Sequence, residues 1–354
     1  MPGLIDTHVH LVGYAGAGQA DFSTWPLVTT REEQVLHGVA HAQRALQAGV
    51  TTLRDMAGGN AQLALRRAFD QGLLEGPRLL VHCAVGMTAG HFDLFTPPGV
   101  AQRPPTADGE DACRALVRTW ARAGADGIKI ATSGGVLSMG DRSEWRNYTR
   151  AEIRAIVDEA HALSLPVAAH AHSAAGIEVA LDEGADSIEH GTLMTASQAS
   201  KAAAKGTTVA PTLLINEVIA GGRVPVAEEA KRKAALLVAE RDRLLRAAAA
   251  TGVRFVLGTD ANGHHVAFGD QMAEVGRMRE VLDLSPEQAL RSATSWAAGA
   301  VGLGDVVGTI AAGFAPDFLV VRGRPWESGP DLSREALVAV VSRGRVVAGE
   351  LPEN

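Results

Sequence analysis

Cysteine is nearly missing from this chain. Cys83 and Cys113 are the only two in 354 residues. That is too few for a disulfide framework and fits a reducing, cytoplasmic setting. Long hydrophobic runs are missing too. No apolar stretch approaches the ~20 residues that a membrane span needs, and no basic-then-apolar leader precedes the first apolar run, so no membrane partner is expected. Positive charge is not in surplus: 33 Lys and Arg against 40 Asp and Glu leave a formal net charge of −7. That balance argues against a nucleic-acid partner. There is no Gly-x-Gly-x-x-Gly turn after the first apolar run, which counts against a doubly wound dinucleotide-binding sheet. Internal repeats and low-complexity tracts are absent. Lysine is the scarcest charge, with five residues in all. Lys201, Lys205, Lys231 and Lys233 lie in polar helical stretches and read as solvated surface. Lys129 lies in the apolar run Gly127-Ile128-Lys129-Ile130-Ala131 and is the odd one out.

What is present begins with Gly3-Leu4-Ile5-Asp6-Thr7-His8-Val9-His10. Its alternation is that of a β-strand, with Leu4, Asp6, His8 and His10 on one face. Two imidazoles about 7 Å apart at Cα can converge on one ion, and neutral imidazole suits zinc or a similar transition metal. A His-x-His pair alone can equally be two strand histidines satisfied by neighbours. Ligands farther along must decide.

After a Gly-rich, loop-like stretch at 12–24, strands and helices alternate. Strands are expected at 50–55, 78–83, 127–132, 166–172, 186–190, 207–211 and 254–260. Helices are expected at 30–47, 61–71, 111–123, 150–163, 174–183, 196–205 and 227–251. Thr30-x-x-Glu33 has the form of a capping box. Eight strands over about 260 residues with short junctions imply an α/β fold, a (β/α)8 TIM barrel. The Pro- and Gly-rich segment 86–106 reads as a lid or functional loop at the barrel mouth. A helix follows Ser285-Pro286-Glu287, and short strands at 308–310, 317–321 and 337–347 read as a small β appendage. The expected division is a barrel over 1–302 and the appendage over 303–354.

Polar residues collect where the strands end. His8 and His10 close strand 1, Lys129 lies in strand 4, His170 and His190 end strands 5 and 6, and Asp260 ends strand 8. Catalytic side chains of such barrels gather at that end. A lone buried histidine is usually structural, but six such residues at one end of the barrel are hard to explain as packing. A buried lysine without an ionic partner costs several kcal/mol unless neutralised or paired.

This set resembles the amidohydrolase superfamily, in its members with two metals. Ser133-Gly134-Gly135-Val136-Leu137-Ser138, Ala169-His170-Ala171-His172, Ser187-Ile188-Glu189-His190-Gly191 and Thr88-Ala89-Gly90-His91 are similar to its imidazolonepropionase-like and prolidase-like group, which cleaves dipeptides and N-acyl amino acids. The resemblance implies two divalent ions, zinc above all. His8, His10 and Asp260 would hold one and His170 and His190 the other, with Lys129 carboxylated by CO2 to a bridging carbamate. It also implies a water activated between the ions, with Asp260 as general base and then acid. Members of the group begin with some fifty residues that supply strands of a β-sandwich. This chain starts almost at strand 1, so the appendage is expected to be an incomplete β-sandwich. Trp145-Arg146-Asn147-Tyr148 and Phe92 depart from the family's loop residues, so the resemblance does not extend to substrate preference.

Among the remaining polar residues, His172, His91 and Tyr148 are candidate substrate contacts. Tyr148 reads equally as a staple to the next helix. His264 and His265 read as solvent-exposed, His37, His41, His82 and His161 as structural, and Asp6 as a carboxylate packed below the site. The resulting expectation is a cytoplasmic, metal-dependent hydrolase of a small amide substrate, and a homo-oligomer is compatible with it. Lactone, carbamate or organophosphate hydrolysis on the same scaffold stays open. A deaminase fits less well, because deaminases of this superfamily lack the strand-4 lysine. A non-catalytic binding protein would be expected to have lost a ligand, and none is missing.

Overall fold

The computed structural model describes residues 1–13, 24–100, 103–328 and 333–352. Most of the loop expected at 12–24 lies outside these residues, as do 101–102 of the expected lid. Seven parallel strands are hydrogen-bonded in chain order: β1 (Leu4–Val9), β2 (Val50–Gly58), β3 (Arg78–Ala84), β4 (Gly127–Ala131), β5 (Val167–Ala171), β6 (Ser187–His190) and β7 (Thr208–Ala210). Helices cross over between them. Five of the seven strands are buried from end to end, as a parallel sheet covered on both faces requires. The helices start where local chemistry predicts. Thr30 and Glu33 form the capping box read from the sequence, and Thr149 with Glu152 forms another.

The expected eighth strand occupies its place without joining a regular ladder. Residues 254–261 run between β7 and β1. The amide of Val209 donates to the Arg254 carbonyl, that of Thr7 to Leu257, and that of Asp260 to His8. The ladder is interrupted because the Leu257 amide donates instead to the Ser292 carbonyl, and the Ile5 amide to Ala293. The end of the helix Pro286–Ser292 thus takes two of the donors that a continuous strand would use, and the barrel is nearly closed.

Two other findings depart from expectation. The long helix expected at 227–251 is present as Glu228–Ala249, but a further helix that was not expected, Leu213–Gly221, precedes it directly after β7. Residues 308–310 form no strand: Gly308 adopts a φ of +82° that turns the chain. The appendage is a three-stranded antiparallel sheet of β8 (Phe318–Val321), β9 (Leu337–Ser342) and β10 (Arg345–Gly349), so the run 337–347 is a hairpin turning at Arg343-Gly344. The Leu319 amide donates to the Met1 carbonyl and the Gly3 amide to Asp317. The sheet therefore attaches where β1 begins, at the end of the barrel opposite the histidines. No helix among the described residues is long and apolar enough to cross a membrane.

Candidate metal and substrate site

Backbone conformation does as much as strand alternation to bring these side chains together. In β4, Gly127, Lys129 and Ala131 share the inner face, while Ile128 and Ile130 join the core between barrel and helices. In β6 alternation alone would send His190 outward with Ile188. His190 instead adopts a φ of +69°, and Asp260 one of +57°. Left-handed backbone in a non-glycine residue is strained, and its presence at two strand ends re-aims both side chains into the mouth. Gly258, two residues before Asp260, could not carry a side chain: an added Cβ would lie 2.9 Å from His8 Cβ and 2.8 Å from Ala210 Cβ.

The result is two groups of potential ligands, each with its donor atoms within 4.8 Å of one another: His8, His10 and Asp260, and His170, His172 and His190. The His8 and His190 rings are 5.1 Å apart, centroid to centroid. Most of the imidazoles have one nitrogen already engaged. His8 Nδ1 donates to Glu189 Oε2 at 2.7 Å, and His170 Nε2 donates to the Gly134 carbonyl at 3.3 Å. His172 Nδ1 meets Thr192 Oγ1 at 2.8 Å, and His190 Nδ1 meets Thr212 Oγ1 at 2.6 Å. Such partners set the tautomer and leave the other nitrogen's lone pair free for a metal ion. Burial lowers the pKa of His8 to about 4 and of His172 to about 3, and drives His170 and His190 well below the usual value. All four are therefore neutral near pH 7, as ligation requires. Burial by itself would raise the Asp260 pKa, but the hydrogen bond from His10 Nε2 at 3.1 Å and the nearby cationic groups hold it below the ordinary carboxylate value.

Lys129 completes the arrangement. Its Nζ is buried, and no polar atom among the described residues hydrogen-bonds to it. Burial lowers its pKa to about 8, with the charges of Glu189 and Asp260 opposing the fall. An orphaned buried amine is costly. With carboxylate and neutral imidazole donors on either side, these residues fit divalent metal ions, and a bridging carbamate would answer the orphaned amine.

Several residues of this centre escaped sequence reading. Glu189 lies between Arg54 Nη2, at 2.9 Å, and His8, and it also accepts from Ser187 Oγ. Arg54 is fully buried and donates from Nε to the Thr7 carbonyl. The available signal was opposite charges set inside two strands, in Leu53-Arg54-Asp55 and Ser187-Ile188-Glu189. Asp6 accepts from Thr259 Oγ1 and from the amides of His8 and Thr259, which ties the closing segment to β1. His265 is buried, with Nδ1 3.2 Å from the Asn262 side-chain amide, and so departs from the solvent-exposed expectation. His41 is buried against the Leu11 carbonyl and stacked on Phe268.

A cavity of about 580 Å3 opens beside the two groups and takes in His91 and His172. His91 stacks on His170 with ring centroids 4.1 Å apart. Its Nδ1 donates to Ser138 Oγ, which in turn donates to Asp141, and Lys233 pairs with that same carboxylate. Tyr148 does not line the cavity. Its hydroxyl donates to the Val85 carbonyl and its side chain is buried, so it staples one loop to another instead of facing substrate.

The sequence and the fold also match known proteins. The model of the amidohydrolase family matches residues 1–349. Ochratoxinase of Aspergillus niger is 30% identical over 352 residues, covering 92% of this chain and 71% of that protein. Imidazolonepropionase of Deinococcus radiodurans is 28% identical, covering 92% of this chain and 78% of the relative. Among solved structures, an Xaa-Pro dipeptidase with methionine bound in its active site superposes with a TM-score of 0.87 at 32% identity, over 98% of this chain and 86% of that one.

Proposed function

Because the chain belongs to the amidohydrolase family and is a hydrolase acting on carbon–nitrogen bonds, we propose that its substrate is a dipeptide or an N-acyl amino acid. We propose further that His8, His10 and Asp260 hold one divalent ion and His170 and His190 the other, with Lys129 carboxylated between them. Zinc is the metal this donor set suits best. The observation that carries the reading is the orphaned amine of Lys129 at the floor of a cavity shared by two three-ligand groups.

When bound, the ions would supply an acidified water and polarise the substrate carbonyl. The protein's own groups do the rest. Asp260 takes a proton from the attacking water as the C–O bond forms, and returns it to the nitrogen as the C–N bond breaks. Its left-handed backbone aims the carboxylate toward the His8 and His10 imidazoles. His172 offers its free Nε2 within the second group and can serve either an ion or the substrate carbonyl. His91, fixed through Ser138, presents its ring to the same space.

Protein produced with zinc and bicarbonate should carry two ions per chain by elemental analysis, and it should release amino acids from a panel of N-acyl amino acids and dipeptides. A single ion or none overturns the two-metal reading. Hydrolysis of lactones, carbamates or organophosphates with no amide cleaved overturns the substrate class.

A further inference from the structure

Beyond the ligand groups, the cavity wall is largely apolar. Phe92, Phe95 and Val136 contribute to it, as do Ile215 and Ile219 from the helix Leu213–Gly221. At its mouth Phe95 remains 38% exposed, Leu27 50% and Met139 56%. Large apolar side chains left open around a concave site mark a surface built for an apolar guest.

Three basic side chains among the described residues line the same cavity, and they are not equivalent. Lys129 lies at the floor among the imidazoles. Arg103 is fully engaged: its guanidinium donates to the Asp93 carboxylate and to the carbonyls of Asp93, Thr96 and Pro97. It staples the loop that carries Phe95. Arg31 has no carboxylate partner among the described residues. Its one hydrogen bond runs from Nη1 to Gln34 Oε1 and is long, at 3.4 Å. Gln34 is itself buried and held in place, with Nε2 donating to the Thr29 carbonyl and hydroxyl, so its oxygen is turned toward the guanidinium. Arg31 is also the first residue of the helix Arg31–Gln47, where a cation meets the positive end of the helix dipole. Helix stability gains nothing from a positive charge at that position.

We infer that Arg31 receives the carboxylate of the substrate, while the apolar wall takes a bulky aromatic or long alkyl group. The substrate is then an acylated amino acid or dipeptide with a free carboxylate and a large apolar flank. This rests on the amide-hydrolase reading and narrows it. An anion approaching a protein of net charge −7 needs a local cation. Arg31 is exposed at the rim, and a guanidinium with free N–H groups beside an apolar wall offers a carboxylate a two-pronged contact.

The test uses N-benzyloxycarbonyl-phenylalanyl-phenylalanine and its C-terminal carboxamide. In the wild-type protein the acid should be preferred in kcat/KM, mainly through KM, by about fivefold, the upper range for an ion pair at an exposed guanidinium. Arg31→Met should abolish that preference and Arg31→Lys should keep part of it. Equal use of acid and carboxamide by the wild type, or an undiminished preference in Arg31→Met, overturns the assignment. The same pair titrated calorimetrically into metal-free protein separates this inference from the catalytic one. Preference for the acid in binding, lost in Arg31→Met, upholds the carboxylate receptor even if no amide is cleaved. Amide cleavage without any such preference upholds the hydrolase and removes the receptor.

Discussion

The two ligand groups face each other across one cavity, yet they are held by different chemistry. The group of His8, His10 and Asp260 is braced by ions: Glu189 grips His8, Arg54 grips Glu189, and Asp260 pairs with His10. Among the described residues, the group of His170, His172 and His190 is braced by neutral partners, a backbone carbonyl and two threonine hydroxyls. Charged hydrogen bonds in a buried site are roughly twice as strong as neutral ones, and leaving one partner unpaired is correspondingly more costly. The first group should therefore hold its geometry more rigidly and lose more when a supporting residue is removed. The second should be more adaptable, and Lys129 is the only residue proposed to serve both.

Replacing that shared residue should have the largest effect. Lys129→Ala is expected to lower metal content at both groups together and to abolish turnover while circular dichroism stays native. A high concentration of a short carboxylic acid should restore part of both, by taking the place of the carbamate. Full occupancy and turnover in Lys129→Ala would reduce Lys129 to a packed amine and sever the two groups. Next in size is Asp260→Asn. Asparagine tolerates the left-handed backbone at this position, and it retains one ligating oxygen. Loss of the proton acceptor should lower kcat by about 10²–10⁴-fold while most of the metal is retained. A change confined to KM would make Asp260 a positioning group only.

Glu189→Gln bears directly on the contrast between ionic and neutral bracing. It keeps the shape, but removes the negative charge that fixes His8 Nδ1 as a donor and balances Arg54. Removal of such a supporting carboxylate typically costs about tenfold to a hundredfold in metal affinity. Competition with a chelator should show the loss in one of the two ions only. Equal loss of both would mean that Glu189 supports the barrel as a whole.

Much of this was legible in the sequence because it is periodic. His8, Lys129 and His170 lie on inner faces that strand alternation predicts, and the Thr30-x-x-Glu33 capping box is a local pattern. What escaped depends on long-range or non-periodic features. His190 was placed at its strand end, but alternation alone would have sent it outward, and only the left-handed backbone turns it into the mouth. Arg54 and Glu189 are 135 positions apart, and nothing in either neighbourhood announces the other. The eighth strand was expected as a regular ladder member, whereas competition from the Ser292 and Ala293 carbonyls for its donors is a tertiary effect. Tyr148 reads from sequence as a substrate contact or a staple, and the partner that decides it, the Val85 carbonyl, is 63 residues away.

The smallest predicted effect is also the sharpest probe of the second group. Thr212 and Thr192 each brace one imidazole through a hydroxyl, and valine replaces either with nearly the same shape. At Thr212 the φ of +46° is already strained for a β-branched residue, so valine adds no new backbone penalty. What is lost is one neutral hydrogen bond, worth about 1 kcal/mol, together with the bias that keeps the His190 Nε2 lone pair free. Thr212→Val should therefore weaken one ion about fivefold, by the same arithmetic, and leave the other within error. Thr192→Val then distinguishes the two uses open to His172. If His172 holds an ion, this variant should repeat the Thr212 result in chelator competition. If His172 serves the substrate, metal affinity should stay fixed and KM should rise about fivefold. Loss of both ions in either variant would show that the two groups behave as one unit, and the contrast between ionic and neutral bracing would then carry no functional meaning.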